Sequence, residues 1–227
     1  MSSATASMQT SAVSIPVGAI SVAGDLVVPA RSTGIVVFAH GSGSSRLSPR
    51  NRFVAGELQK AGLATLLMDL LTTEEELIDE MRGGALRFDI GLLAERLQAV
   101  SEWLAAAPLI PKPSICYFGA STGAAAALLA AAKWHGDVRA VVSRGGRPDL
   151  ATTDLPKVKA PTLLIVGGAD HVVIDLNREA MELLRCEKRL EIVPGASHLF
   201  EEPGTLERVA ALAAGWFTGH LRAPTPG

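Results

Sequence analysis

Ser121 stands in Gly119-Ala120-Ser121-Thr122-Gly123, between the apolar run 115–118 and the alanine-rich stretch 124–127. A serine hydroxyl is a poor nucleophile until a neutral imidazole takes its proton and a carboxylate fixes that imidazole's tautomer. A short strand running through Gly-x-Ser-x-Gly into a helix predicts a sharp, strained turn that pushes the hydroxyl into the open. Gly119 and Gly123 then occupy places where a Cβ would strike neighbouring backbone. The two partners come later in the chain, Asp170 in Gly168-Ala169-Asp170 and His198 in Gly195-Ala196-Ser197-His198, each just past a predicted strand.

Each partner has rivals. His171 adjoins Asp170 too closely in sequence to take its hydrogen bond in the usual way, and His135 and His220 lie near helix ends. Asp149, in the loop after the preceding strand, is the alternative acid, and it reads equally well as a cap or first-turn residue of a short helix. Stabilising a developing oxyanion needs two preorganised backbone amides. Thr122, next to the nucleophile, and Ser42, in His40-Gly41-Ser42-Gly43, are the candidates, with His40 as a structural hydrogen-bonder. The same loop is no dinucleotide fingerprint, because Arg46 stands where a third glycine belongs. No Walker motif or zinc-ligand spacing is found, so neither metal nor cofactor is expected.

These groups need a scaffold that brings distant loops together. The continuous apolar run at 34–39 reads as a strand covered on both faces, and 64–68, 115–118, 138–142 and 162–166 read as further strands. Amphipathic or capped helices are expected from Ser48-Pro49 to Gly62, over 88–107 with prolines 108, 111 and 113 closing it, over 173–184 and over 205–221. The run 189–193 alternates charged and apolar residues, as an edge strand does. Residues 13–28 read as a hairpin turning at Ala23-Gly24-Asp25, and the Glu74–Glu76 patch as the solvated start of a short helix. The result is an α/β fold: a mostly parallel sheet with an N-terminal antiparallel hairpin, helices on both faces and no large lid. Residues 1–11 and 223–227 are expected to be tails around a single domain over 12–222.

Composition narrows the partners. With 48% hydrophobic and 19% charged residues the chain is globular, and a net charge of −2 gives no footprint for nucleic acid. No run approaches the ~20 apolar residues of a membrane helix, and the first residues have no secretory pattern. Two cysteines, Cys116 and Cys186, make no disulfide framework, which fits a reducing cytoplasm. The oligomeric state is not legible.

Together, Phe38–Gly43, Gly119–Gly123, Gly168–Asp170 and Gly195–His198, in the chain order Ser…Asp…His, resemble the α/β-hydrolase superfamily. The compact, lidless form is similar to the dienelactone hydrolase family, in the branch also found fused to phosphoribosyltransferase domains. Segments 42–51, 87–90 and 143–149 carry that likeness, which spans nearly the whole chain. Dienelactone hydrolases proper use a cysteine nucleophile, whereas this chain has Ser121. The resemblance therefore implies a serine esterase with Ser121, Asp170 and His198 as its triad, acting on small esters or lactones with short or accessible acyl groups. A perhydrolase with the same triad, or a non-catalytic ligand receptor on the same fold, are the alternatives. Activity is expected to fall in acid, where the imidazole protonates. Arg46 and Arg144, with Arg50 and Arg147, fall on site-side loops, where they either bind a substrate carboxylate or phosphate or form salt bridges to Asp149, Asp69 or the Glu74–Glu76 patch.

Overall fold

The computed structural model describes residues 8–30, 32, 34–106 and 113–221. Prolines 108 and 111, placed by the sequence at the end of a helix, lie outside them. The chain runs β1 (Met8–Val17), β2 (Ile20–Pro29), β3 (Ile35–Ala39), α1 (Pro49–Lys60), β4 (Ala64–Met68), α2 (Thr73–Met81), α3 (Ile90–Ala106), β5 (Ile115–Ala120), α4 (Thr122–Lys133), β6 (Val138–Arg144), β7 (Thr162–Gly167), α5 (His171–Leu183), β8 (Lys188–Val193) and α6 (Thr205–Leu221). The eight strands form one sheet in the order β1-β2-β4-β3-β5-β6-β7-β8. β1 and β2 pair antiparallel with each other, β2 antiparallel with β4, and the rest are parallel.

The apolar runs have no polar face because the sheet has a core on either side. Val36, Phe38 and Phe118 pack with Val54 and Leu58 of α1 and Phe217 of α6. Their strand neighbours Val37 and Tyr117 point the other way, into a core with Leu93 and Leu97 of α3 and Leu128 of α4. α1 begins as its sequence dictates: the Ser48 hydroxyl accepts the Asn51 amide at 3.3 Å, and Pro49 fills the first helical position. α2 opens with a capping box in which Thr72 and Glu75 bond each other's amides, so the Glu74–Glu76 patch is a helix start. Between β6 and β7, where a cap could be inserted, there are only two short 3-10 turns, Pro148–Ala151 and Leu155–Lys157.

The helices expected over 88–107 and 173–184 run within two residues of those bounds, and the N-terminal hairpin differs more. β1 starts at Met8, so residues 8–11 are paired strand and not tail. The hairpin turns at Gly18-Ala19, closed by the pair Val17 and Ile20, with Gly18 at φ +60° as a two-residue turn requires. Ala23-Gly24-Asp25 lies inside β2 instead. Gly24 is small for packing: a Cβ there would come within 2.9 Å of Leu66 Cδ1.

Candidate functional site

The loops at the carboxyl ends of β3, β5, β6, β7 and β8 converge around Ser121. Ser121 adopts φ 52° and ψ −121°, one of two described non-glycine residues with positive φ. A backbone so unfavourable persists only where its surroundings over-determine it. Here the Ser121 amide donates to the Arg144 carbonyl at 3.2 Å, and the Ser121 carbonyl accepts the Arg147 amide at 3.1 Å. The flanking glycines are forced by space. A Cβ on Gly119 would sit 2.4 Å from Ala124 Cα, and one on Gly123 would sit 2.3 Å from the Ala39 carbonyl oxygen. The alanines that follow are buried and keep α4 slim against the sheet.

Asp170 is the residue before α5, yet its side chain makes no cap bond to that helix. It bonds the other candidate instead: His198 Nδ1 lies 2.6 Å from Asp170 Oδ2. The two loops are zipped by backbone bonds, Gly168 N–H to Val193 O at 2.8 Å and Ala169 N–H to Ala196 O at 2.9 Å. Gly167 makes that approach possible, since a Cβ there would be 2.4 Å from the Ala196 oxygen. Glu202 holds the turn after the histidine by accepting the Ser197 amide at 3.0 Å, and that bond keeps its carboxyl below the ordinary range.

The His198 ring rests over Gly145, where a Cβ would lie 3.5 Å from its Cε1 and Nδ1. Gly145 follows Arg144 in the loop tied to both sides of Ser121, and Asn177 Nδ2 pins the next residue by donating to the Gly146 carbonyl at 2.9 Å. Among the described residues no hydrogen bond joins the Ser121 hydroxyl to the His198 ring. No rival histidine bonds Asp170 or Ser121 among the described residues: His171 and His135 are exposed, and His220 bonds Trp216 and Glu187. Asp149 forms a two-point pair with Arg147, at 2.8 Å for both contacts.

The candidate oxyanion donors meet directly. Gly41 lies against the nucleophile, so that a Cβ there would be 3.1 Å from Ser121 Cβ. The next amide, Ser42 N–H, donates to Thr122 Oγ1 at 2.9 Å, so it is occupied and not open. His40 anchors the loop. Its Nε2 accepts the Leu70 amide at 3.1 Å, which makes Nδ1 the protonated nitrogen, donating to Gly41 O at 2.9 Å. Burial pushes its pKa down, keeping the ring neutral.

The arginines divide. Arg46 pairs with Asp69 and approaches Asp25 at 3.7 Å, so its charge is spent within the protein. Arg144 is 7% exposed and pairs with no carboxylate among the described residues. Beside the oxyanion loop opens a cavity of about 410 Å³, lined by His40, Ser42, Leu70, Glu76, Asp79 and Leu93 among others. Burial, together with Asp69 and Glu80, pushes the Glu76 carboxyl up. Asp79 walls the cavity. Burial raises its carboxyl, but hydrogen bonds from the Arg87 side chain and from the Arg87 and Leu86 amides outweigh that and hold it below the usual range. Gly145, Asn177 and Glu202 were not singled out as site residues by the sequence: the first two act through tertiary contacts, and Glu202 through a local turn back to Ser197.

The chain is 59% identical, over 94% of its length, to a Mycobacterium tuberculosis protein (strain H37Rv) that carries the name of a phosphoribosyl transferase. It spans about half, 47%, of that relative. A dienelactone hydrolase crystal structure from Anabaena variabilis superposes with TM-score 0.92 at 61% identity, covering 95% of this chain and 99% of the other. A lidless α/β serine hydrolase from Xanthomonas campestris shares the fold at TM-score 0.75 and 21% identity, over 96% and 97% of the two chains. The sequence model of the Dienelactone hydrolase family matches residues 22–217, and the chain belongs to that family.

Proposed function

We propose that this hydrolase is a serine esterase that cleaves small esters with short or accessible acyl groups through an acyl-enzyme. The supporting observation is the 2.6 Å His198–Asp170 bond, carried by a ring that rests on the same loop that clamps the strained Ser121. In this reading Asp170 holds Nδ1–H and leaves Nε2 free to take the Ser121 proton. Ser121 Oγ attacks the ester carbonyl, and the negative charge forms beside the Thr122 amide and, once it exchanges its bond to Thr122 Oγ1 for the oxyanion, the Ser42 amide. His198 then protonates the leaving alcohol, and a water deprotonated by the same ring releases the acid. The Ser121 and His198 side chains draw together when substrate fills the cleft, since catalytic hydrogen bonds commonly tighten only in the complex. The short turns between β6 and β7 leave the site uncapped, which suits accessible rather than long, buried acyl chains.

The transferase name belongs to chains about twice as long, and the half they share with this chain is the hydrolase-family half. A p-nitrophenyl ester series of rising chain length tests the reading. Turnover is expected to be greatest for short acyl groups and abolished in Ser121→Ala. Asp170→Asn is expected to lower kcat roughly 10³–10⁴-fold with little change in KM, because the imidazole loses its tautomer. Unchanged turnover in both variants contradicts the assignment.

A further inference from the structure

Asn177 is fully buried midway along α5, and its Nδ2 donates twice, to Val173 O at 2.8 Å and to Gly146 O at 2.9 Å. Both partners are carbonyl oxygens, which only accept, so the amide nitrogen must be the atom that faces them. The first bond runs back one turn of the same helix, and the second crosses 31 residues of sequence. Asn177 Oδ1, by contrast, is buried with no partner among the described residues. A buried acceptor left empty costs stability and asparagine is a weak helix former, so an apolar side chain would serve α5 better. That cost points to a use for the two donated hydrogens.

The use lies in the peptide that joins Gly146 to Arg147. A trans peptide is planar, with its carbonyl and its N–H pointing in opposite directions. Here Asn177 holds the Gly146 carbonyl, and the Arg147 N–H donates to the Ser121 carbonyl at 3.1 Å. One rigid plane therefore connects the Asn177 amide to the backbone of the strained elbow. The Ser121 carbonyl also accepts the Ala124 amide at 3.1 Å, so the Arg147 bond is what ties it to something beyond its own helix. Without Asn177 that plane is free to turn, because Gly145 and Gly146 lead into it with no Cβ to resist. A bulkier residue cannot stiffen the loop instead, since a Cβ on Gly146 would lie 2.7 Å from Ala124 Cβ. The other two groups of the triad are close by: Gly145 underlies the His198 ring, and α5 begins at the residue after Asp170.

We propose that Asn177 is a positioning residue for catalysis, fixing the 146–147 peptide and, through it, the Ser121 backbone relative to His198 and Asp170. The proposal rests on the esterase reading and adds to its machinery a side chain that hydrogen-bonds none of the three triad members. Its effect belongs to the chemical step. A nucleophile displaced by about 1 Å can lose about 100-fold in rate while the cleft that binds substrate is unchanged.

The test combines p-nitrophenyl butyrate kinetics and fluorophosphonate labelling of the whole chain with amide hydrogen exchange followed by NMR. Asn177→Leu removes both donated bonds at similar volume. Asn177→Ser keeps a hydroxyl that bonds back to Val173 O but is too short to reach Gly146. Both variants are expected to lose about tenfold or more in kcat and in labelling rate, with KM within about twofold of the parent. Their Arg147 amide is expected to exchange at least about tenfold faster relative to the amides of β6. Ala180→Gly, a change elsewhere in α5, is the control for helix stability. It is expected to lower the melting temperature while leaving kcat and the relative Arg147 exchange as in the parent. Should Asn177→Leu fail to fold, Asn177→Ser carries the comparison. A kcat in the Asn177 variants equal to that of Ala180→Gly, a loss confined to KM, or an Arg147 amide as protected as in the parent overturns the proposal. If the parent turns over no ester and takes no label, the esterase reading falls, and the Arg147 exchange alone decides whether Asn177 holds the peptide.

Discussion

The amide of Ser42 is held by the side chain of Thr122 at 2.9 Å, across 80 residues of sequence. One hydroxyl thus clamps the loop after β3 to the first residue of α4, and the two candidate oxyanion donors keep a fixed relation. Thr122→Val removes that acceptor while preserving shape. A net hydrogen bond contributes about 1 kcal/mol, so kcat/KM is expected to fall about fivefold. Thr122→Ser is expected to restore it. Ester kinetics on the pair decide the point, and equal rates in both contradict the clamp.

The elbow leaves no room at its second glycine. A Cβ on Gly123 would meet the Ala39 oxygen at 2.3 Å and the His40 oxygen at 2.4 Å. Backbone cannot rotate away as a side chain can, so Gly123→Ala is expected to cost about 3 kcal/mol or more of stability. Urea denaturation would show the loss as a lower midpoint. Gly56→Ala is the control, since nothing lies within 4 Å of a Cβ there. A midpoint for Gly123→Ala equal to that of the control is the contrary result.

His40 ties stability to pH. It is buried and neutral, accepts the Leu70 amide, and its folded pKa lies below the ordinary 6.5. Above 6.5 both folded and unfolded states carry it neutral, and its contribution is complete. As pH falls below 6.5 the unfolded chain takes up the proton first, so stability declines until the lowered folded value is reached. Melting temperatures measured from pH 7.5 down to pH 5 are expected to fall less steeply in His40→Gln than in the parent. Parallel slopes contradict this role.

The sheet was legible because buried parallel strands and capped helices leave strong local signals, as at 34–39 and at Ser48-Pro49. Ser121, Asp170 and His198 were legible for the same reason, each lying just past a strand end. The hairpin turn was misplaced because a glycine needed for packing, Gly24, resembles a glycine needed for turning, Gly18. Gly145, under the His198 ring, and Asn177, on the Gly146 carbonyl, act only across tertiary contacts, which no local pattern encodes. The arginines were divided by burial: Arg46 found its aspartates, and Arg144 did not.

The central claim is that Ser121 is the nucleophile that His198 activates. Its most direct test is labelling of the whole chain with a fluorophosphonate, followed by peptide mapping of the adduct. The account predicts one adduct on the Ser121 hydroxyl, absent in Ser121→Ala and strongly slowed in His198→Ala. An adduct on another residue, or undiminished labelling of Ser121→Ala, contradicts it.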